Sequence, residues 1–297
     1  MQYSSECIPC LIKRQMAEIE KYPDERAKLD YMKEVCNIIA TSPKGVAAPW
    51  LVSRFGRVFG KYFKETDIYS DIKRQSNDFV LGRLDRIYEV INSSSDTLLC
   101  ALKYARLGNY IDFGALHGNV DMAQLDSLLD SAKDEQVDPE EYANLTHDLQ
   151  NAKNVLYITD NAGEIVLDRL FLEQLKTAYP NAHFTAAVRG APVINDATME
   201  DALYIGLDRV VDVIDNGCDI SGTHISECGE RMKKALTDAD VIIAKGQGNF
   251  ETMLACGLNV YYLFLCKCDL FVKTFNVPKL TGVLFNEKRI SLKWNCL

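Results

Sequence analysis

The sequence predicts a helical N-terminal domain joined to a three-layer α/β/α domain whose sheet is mostly parallel. Three observations carry this. Apolar residues recur at helical spacing over residues 4–107, and no alternating strand pattern occurs before about Asn154. From Val155 onward, short runs rich in β-branched and aromatic residues alternate with helical patterns, as in successive βαβ units. Those short runs are apolar throughout, which demands helices on both faces of the sheet. The division falls at the junction that starts with Gly108: residues 1–107 form the helical domain, and residues 108–297 form the α/β domain with a helical insertion at about 121–150.

The first helix follows Ser4-Ser5-Glu6 and runs to about Tyr22; Pro23-Asp24 restart the pattern through Ala40. Residues 47–63 are amphipathic, with Trp50, Leu51, Phe55, Val58 and Phe59 on one side. Residues 69–91 read as one long helix, and Ser95-Asp96 cap another over 97–107. Gly108-Asn109-Tyr110-Ile111-Asp112 break the periodicity, and Asp138-Pro139 restart a helix inside the insertion. Strands are expected at 155–159, 184–188, 209–214, 241–244 and 260–265. The helices between them are expected at 165–179, from Asp196 to near Gly206, at 225–236, and from the turn after Lys245 to about Ala255.

A net charge of −9 argues against a nucleic-acid binder, which needs a basic face. No basic segment followed by an apolar core opens the chain, and no run is apolar and long enough to span a bilayer. Ten cysteines are too few for a disulfide scaffold at this length, and Cys36, Cys100 and Cys256 fall inside apolar helical patterns. A reducing, cytoplasmic setting follows as the expectation.

The chemistry is concentrated where strands end. Asp160-Asn161 follow the first strand, Arg189-Gly190 and then Asn195-Asp196 the second, Asp215-Asn216 the third, Lys245-Gly246 the fourth and Lys267 the fifth. In a parallel sheet these ends share one edge, where such folds bind ligands. Asp160 and Asn161 alone fit a helix cap as well as a metal site. Five strand ends with this chemistry make a site. Asp160, Asn161 and Asp196 offer hard oxygen donors for one divalent metal. Lys245, Arg189 and Lys267 supply cations for a phosphoryl group, and Gly246 and Gly248 let backbone N–H groups approach it. That set suits metal-assisted phosphate hydrolysis, with Asp160 or Asp196 placing or deprotonating water, or attacking directly.

Three segments carry a family resemblance in order: Thr159-Asp160-Asn161-Ala162-Gly163-Glu164; Arg189-Gly190-Ala191-Pro192-Val193-Ile194-Asn195-Asp196-Ala197-Thr198; and Asp240 through Lys245-Gly246-Gln247-Gly248-Asn249-Phe250-Glu251. They resemble the DUF89 family of metal-dependent damage-control phosphatases, in particular its prokaryotic branch, which usually carries an N-terminal Cys-x-x-Cys like Cys7-Ile8-Pro9-Cys10. The resemblance implies a helical domain on a Rossmann-like domain, and phosphatase activity on small phosphorylated metabolites, including sugar phosphates and damaged side products. It implies Mn²⁺, Co²⁺, Ni²⁺ or Mg²⁺ held by Asp160, Asn161 and Asp196, with Lys245 on the phosphate. Glu164, Arg189, Asn195, Gly246, Gly248, Asn249 and Lys267 are the candidates for binding substrate. Eukaryotic relatives carry Lys-Gly-Asp-Leu-Asn-Tyr where this chain has Gln247 in place of the acid, so their substrate preference does not carry over. A carboxyl methyltransferase using S-adenosylmethionine, an activity attributed to eukaryotic members, is the alternative enzyme; it lacks support from a glycine-rich first turn. A non-catalytic phosphometabolite binder using Gly246 and Gly248 is the third reading.

Weaker signals have plain structural explanations. Cys7 and Cys10 are half of a zinc site at most, completed only if the fold brings Cys266 and Cys268 to them. Lys73 and Asn77 share a helix face, solvated on composition alone, with Asn77 turned toward the cleft if the resemblance holds. Asn109 and Asp112 read as a junction turn or as cleft lining. His117, near the junction, reads as structural or as a general acid, and His147, His183 and His224 show no partner pattern.

Overall fold

A computed structural model describes residues 1–65, 67–110 and 122–289. The chain opens with α1 (Cys7–Ile19), α2 (Glu25–Thr41) and α3 (Ala48–Phe63). Pro9 lies in the first turn of α1, where its missing N–H costs nothing. Asp24 caps α2 by accepting from the Arg26 and Ala27 amides. Lys64 ends α3 in the left-handed region. Leu11, Ile19, Tyr31, Val35, Ile39, Leu51, Phe55 and Phe59 close a separate core within these three helices. Of the stripe expected on α3, Leu51, Phe55 and Phe59 are buried, while Trp50 and Val58 pack at its margin.

The long helix expected at 69–91 is two helices, α4 (Ser70–Leu81) and α5 (Leu84–Asn92). Gly82 sits between them and closes α4 by donating to the Asp78 carbonyl. Glycine is the weakest non-proline helix former, and the break turns Ile87 and Ile91 inward on α5. Next come α6 (Thr97–Leu107), capped by Asp96, α7 (Met122–Ser131), and α8 (Pro139–Asn151), capped by Asp138. The core draws its own line. Phe79, Val80, Ile91, Leu102 and Leu107 belong to the same cluster as the sheet residues Tyr157 and Ile243. By packing, α4 to α6 thus join the α/β layer, and the separate helical unit is α1 to α3.

The sheet contains β1 (Asn154–Ile158), β2 (His183–Val188), β3 (Asp212–Asp215), β4 (Val241–Lys245), β5 (Val260–Leu265) and β6 (Gly282–Asn286), in the spatial order β3-β2-β1-β4-β5-β6. All neighbours pair in parallel except β5 with β6. Helices α9 (Glu164–Ala178), α10 (Met199–Tyr204), α11 (Glu230–Asp238), α12 (Gly246–Met253) and α13 (Asp269–Phe275) complete the layers. The third strand starts at Asp212, later than expected, because Leu207–Arg209 form a 3-10 turn. Residues 225–229 are likewise not α-helix: a 3-10 turn and Gly229 precede α11. Because β1, β2 and β3 run outward in one direction and β4 and β5 in the other, the order reverses between β1 and β4. A crevice opens at such a reversal beyond the strand C-termini. Among the described residues no helix is long and apolar enough to cross a membrane.

Candidate active site

The residues after β1 and β4 flank that crevice. Thr159 extends β1 by donating to the Ala187 carbonyl, and Asp160 and Asn161 follow. The 195–197 segment returns to pair with them. Asn161 and Asp196 form an antiparallel bridge, the Ala162 amide donates to the Asn195 carbonyl at 2.9 Å, and the Ala197 amide donates to the Asp160 carbonyl at 2.7 Å. Backbone pairing thus brings together three side chains that are 36 residues apart at most. The expectation that Asp196 opens the next helix is corrected. Thr198 is the cap, in a reciprocal capping box with Asp201, and this leaves Asp196 two residues upstream in the crevice.

Arg189 crosses between the two acids. Its Nε donates to Asp196 Oδ2 at 2.6 Å, and its Nη2 lies 3.5 Å from Asp160 Oδ1. Burial disfavours the charged guanidinium, but Asp196 and Asp160 outweigh it and raise its pKa further. Ser221 donates to the other Asp196 oxygen at 2.8 Å. Asp160 Oδ2 accepts from Asn161 Nδ2 at 2.7 Å and from Asn109 Nδ2 at 3.0 Å. The same two amides donate to Glu164 Oε2, at 3.0 and 2.9 Å. Each amide nitrogen therefore sits between two carboxylates, which fixes the orientation of the Asn161 and Asn109 carboxamides.

Behind Glu164 lies a buried charge cluster. Lys245 Nζ donates to Glu164 Oε1 at 2.6 Å, Asp168 Oδ1 at 2.5 Å and the Ala105 carbonyl at 2.8 Å, and all three side chains are fully buried. These three bonds use all three ammonium donors. Lys245 was expected on the phosphate; in this structure it anchors Glu164 from behind. Burial alone would lower its pKa, and the Asp168 and Glu164 carboxylates turn the shift upward. Asp168, which also accepts from Tyr157 at 2.7 Å, is pushed up to about 7 by burial, against the pull of Lys245.

That shift sets a pH dependence. The folded chain holds the Asp168 proton to higher pH than the unfolded chain, whose ordinary value is 3.8. This group therefore favours folding most below about pH 4, and that contribution is lost as pH rises to about 7. In Asp168→Asn the fall in Tm between pH 5 and pH 8 should be smaller than in the parent chain. Equal falls in thermal melts at the two pH values would refute this.

The glycines expected to cradle phosphate have closer neighbours. A Cβ at Gly246, whose φ is +77°, would stand 2.0 Å from Asp160 Oδ2, and one at Gly248 would stand 2.1 Å from the Ser221 carbonyl oxygen. Gly246 thus lets the Asp160 carboxylate rest against the start of α12, where the helix dipole favours negative charge. Gly246→Ala should displace that carboxylate and lower turnover about 10²-fold or more, the scale of a misplaced catalytic group. Near-normal kcat in the purified variant would show that Asp160 need not sit there.

The other expected residues divide between the crevice and its frame. Asn195 is buried and shares the backbone pairing with Ala162. Asn249 is a cross-tie: Nδ2 donates to the Thr159 and Lys245 carbonyls, and Oδ1 accepts from Thr223 and Arg189 Nη1. Asn216 frames the next loop by accepting from the Gly190 and Cys218 amides. Lys267 is half-buried at the end of β5, and its amide donates to Gln247 Oε1 at 2.6 Å. Lys73 and Asn77 face inward: Lys73 pairs with Asp201 at 2.9 Å, and Asn77 accepts from the Gly163 amide at 2.6 Å and donates to Asp201. His147 is exposed, His183 pairs with Asp212, and His224 contacts Ser226. Asp112 and His117 lie outside the described residues. The start of α1 does reach α13, through a Glu6–Lys273 ion pair. Even so, among the described residues no three His, Cys, Asp or Glu side chains are arranged to hold a metal, Cys7, Cys10, Cys266 and Cys268 included.

The profile of the damage-control phosphatase ARMT1-like domain matches residues 3–282. This chain belongs to that family. It is a phosphatase by that membership, and small phosphate esters are its class of substrate. It is similar to a damage-control phosphatase of Pyrococcus horikoshii, 34% identical over 77% of each chain. A damage-control phosphatase of Archaeoglobus fulgidus is 29% identical over 91% of this chain and 93% of its own. An uncharacterized protein of Methanocaldococcus jannaschii is 32% identical over 95% and 94%. The crystal structure of a DUF89 family protein from Pyrococcus horikoshii superposes with a TM-score of 0.82 at 26% identity, over 97% of this chain and 99% of that one. The fold and family expected from the three sequence segments are thereby met. Phosphatases of this family are generally metal-dependent.

The crevice residues fit a hard divalent ion. Asp160 and Asp196 contribute carboxylates and Asn161 a carboxamide, all oxygen donors. When ionised, the four carboxylates of Asp160, Glu164, Asp168 and Asp196 face two cations, Arg189 and Lys245, and leave two negative charges to balance. Among the described residues, Asn109 Oδ1 is also buried without a hydrogen-bond partner beside them.

Proposed function

We propose that the crevice between β1 and β4 is a phosphomonoesterase site in which Asp160, Asn161 and Asp196 hold one divalent metal, Mn²⁺, Co²⁺, Ni²⁺ or Mg²⁺. The backbone bridge between Asn161 and Asp196 is the observation that carries this, because it joins the donors of two strand ends. The metal, when bound, polarises a phosphoryl oxygen and makes water more acidic. Asp196 has both oxygens engaged, by Arg189 and Ser221, and acts as a fixed ligand. Asp160 is the more exposed acid, at 7% against 1%, and is the better placed to orient water and take its proton. Arg189 offsets charge that builds on the phosphoryl oxygens, as do the first-turn amides of Gly246, Gln247 and Gly248. Lys267, at the end of β5, is a further candidate cation for the phosphate.

The rest of the substrate has a place. A cavity of about 410 Å³ opens between the α1–α3 unit and the 191–194 loop, lined by Ser53, Arg57, Phe59, Tyr69, Ile194 and Asp219. That is the size of a small-metabolite pocket. Ile194 has φ 48°, an unusual conformation for a β-branched residue, and forms the cavity wall next to Asn195. Sugar phosphates and damaged phospho-metabolites of similar size are the substrates we assign to it, with its volume in support.

The test is hydrolysis of p-nitrophenyl phosphate by chelated protein, then by protein supplied with each of the four metals. Turnover should be restored by one or more of them. Undiminished turnover in the chelated protein would defeat the metal assignment.

A further inference from the structure

A pair of thiols flanks the loop that holds Asp196 in place. Cys218 is half-buried two residues after Asn216, and Cys228 is buried at 4% exposure. Their segments touch: the Gly229 amide donates to the Asn216 carbonyl at 3.0 Å, and Gly217 packs on Gly229 backbone to backbone. With the adjoining backbones in contact, the two thiols lie near enough to shift each other's titration. Between them, Ser221 reaches Asp196 at 2.8 Å, while Asp219 pairs with Arg57 and accepts from Ser53, both on α3. Asn216 closes the loop from inside through Nδ2 to the Gly222 carbonyl. We propose that Cys218 and Cys228 are a site of oxidative modification: low-molecular-weight disulfides convert the pair to a disulfide bond, which draws Ser221 away from Asp196.

The chemistry divides between the two thiols. The neighbouring Cys228 thiol holds Cys218 down to about 7 despite burial, with help from Arg189. A substantial thiolate fraction at neutral pH makes Cys218 the attacking group. Its sulfur attacks one sulfur of the oxidant, forms a mixed disulfide and expels one thiolate. With Cys218 capped, the neighbouring thiolate charge that kept the proton on Cys228 is gone. Cys228 then loses its proton, attacks the Cys218 sulfur and expels the second thiolate. Two protein thiols are oxidised, one small disulfide is reduced to two thiols, and the two protons pass to the leaving thiolates. A disulfide is about 2.0 Å long, much shorter than a non-bonded contact between two thiols, so closure pulls the two roots of the 219–227 loop together.

The experiment is incubation of the full chain with oxidised glutathione at neutral pH, followed by peptide mapping and by turnover before and after dithiothreitol. Mapping does not depend on the metal or on the assigned catalytic roles, so its failure is separable from theirs. One Cys218–Cys228 disulfide should form, with loss of two titratable thiols. Turnover should fall about tenfold, the scale of one hydrogen bond to a charged group, and return on reduction. Cys228→Ala should trap glutathione on Cys218, and Cys218→Ser should be insensitive to the oxidant. Both thiols remaining free while exposed Cys10 or Cys36 is modified would overturn the proposal. A closed pair with unchanged turnover would overturn the link to Asp196.

Discussion

Asp160→Ala should lower metal-dependent turnover by about 10³-fold or more, while the protein still folds. The expected loss combines the proposed general base, a role worth about 10²–10⁴, with the proposed metal ligand. Folding should survive because Asp160 sits at the crevice edge, and its neighbours keep other partners. Arg189 retains Asp196, and the Asn109 and Asn161 amides retain Glu164. Asp160→Asn separates charge from shape, since it keeps the volume against Gly246 and loses the carboxylate. It should be nearly as inactive, and isothermal titration should show weaker Mn²⁺ binding by either variant. A folded Asp160→Asn chain with parental turnover would remove Asp160 from both roles.

The sequence exposes this crevice unevenly, for physical reasons. Strand ends are local signals: an apolar run stops at Asp160, Arg189 or Lys245, and parallel topology puts those ends on one edge. Where a long side chain turns after the strand is not local. Lys245 finds Ala105 across 140 residues and Asp168 across 77, so its placement behind Glu164 depended on how α6 packs against α9. Asp168 itself left a trace. It follows Glu164 by four residues among the apolar positions of the buried face of α9, and two acids on one buried helix face require a cation. Ser221 left none, because a serine in a loop is ordinary until the loop is seen closing on Gly248. The break at Gly82 was written in the residue, whereas β6 was hidden by its short half-buried pattern on the sheet edge. Thr198 and Asp201 spelled out the capping box that moves Asp196 out of the helix.

Lys245→Met should destabilise the fold by about 3–5 kcal/mol, the range for removing one partner of a buried ion pair. Methionine fills a similar volume, so the loss is electrostatic. Glu164 and Asp168 remain with 0% side-chain exposure, and no described cation replaces the ammonium. The two carboxyls can respond only by protonating, which makes the variant's stability strongly pH-dependent. Without the pull of Lys245, burial and the Glu164 charge would hold the Asp168 carboxyl still further above its ordinary range, so the folded state binds more protons than the unfolded state at neutral pH. Stability of Lys245→Met should therefore recover as pH falls from about 7 toward 5, more steeply than in the parent chain. Lys245→Met/Asp168→Asn removes one of the two stranded acids and should regain part of the loss at pH 7. The same cluster bears on activity. With Lys245 gone, Glu164 protonates or turns, and the Asn109 and Asn161 amides lose the acceptor that orients them toward Asp160. Metal affinity should fall in variant protein that is still folded at pH 6, although Lys245 does not reach the crevice. Urea unfolding at pH 5 and pH 7, with Mn²⁺ titration at pH 6, measures both effects. A parental pH profile with unchanged metal affinity would mean that the buried ammonium supports neither the fold nor the crevice.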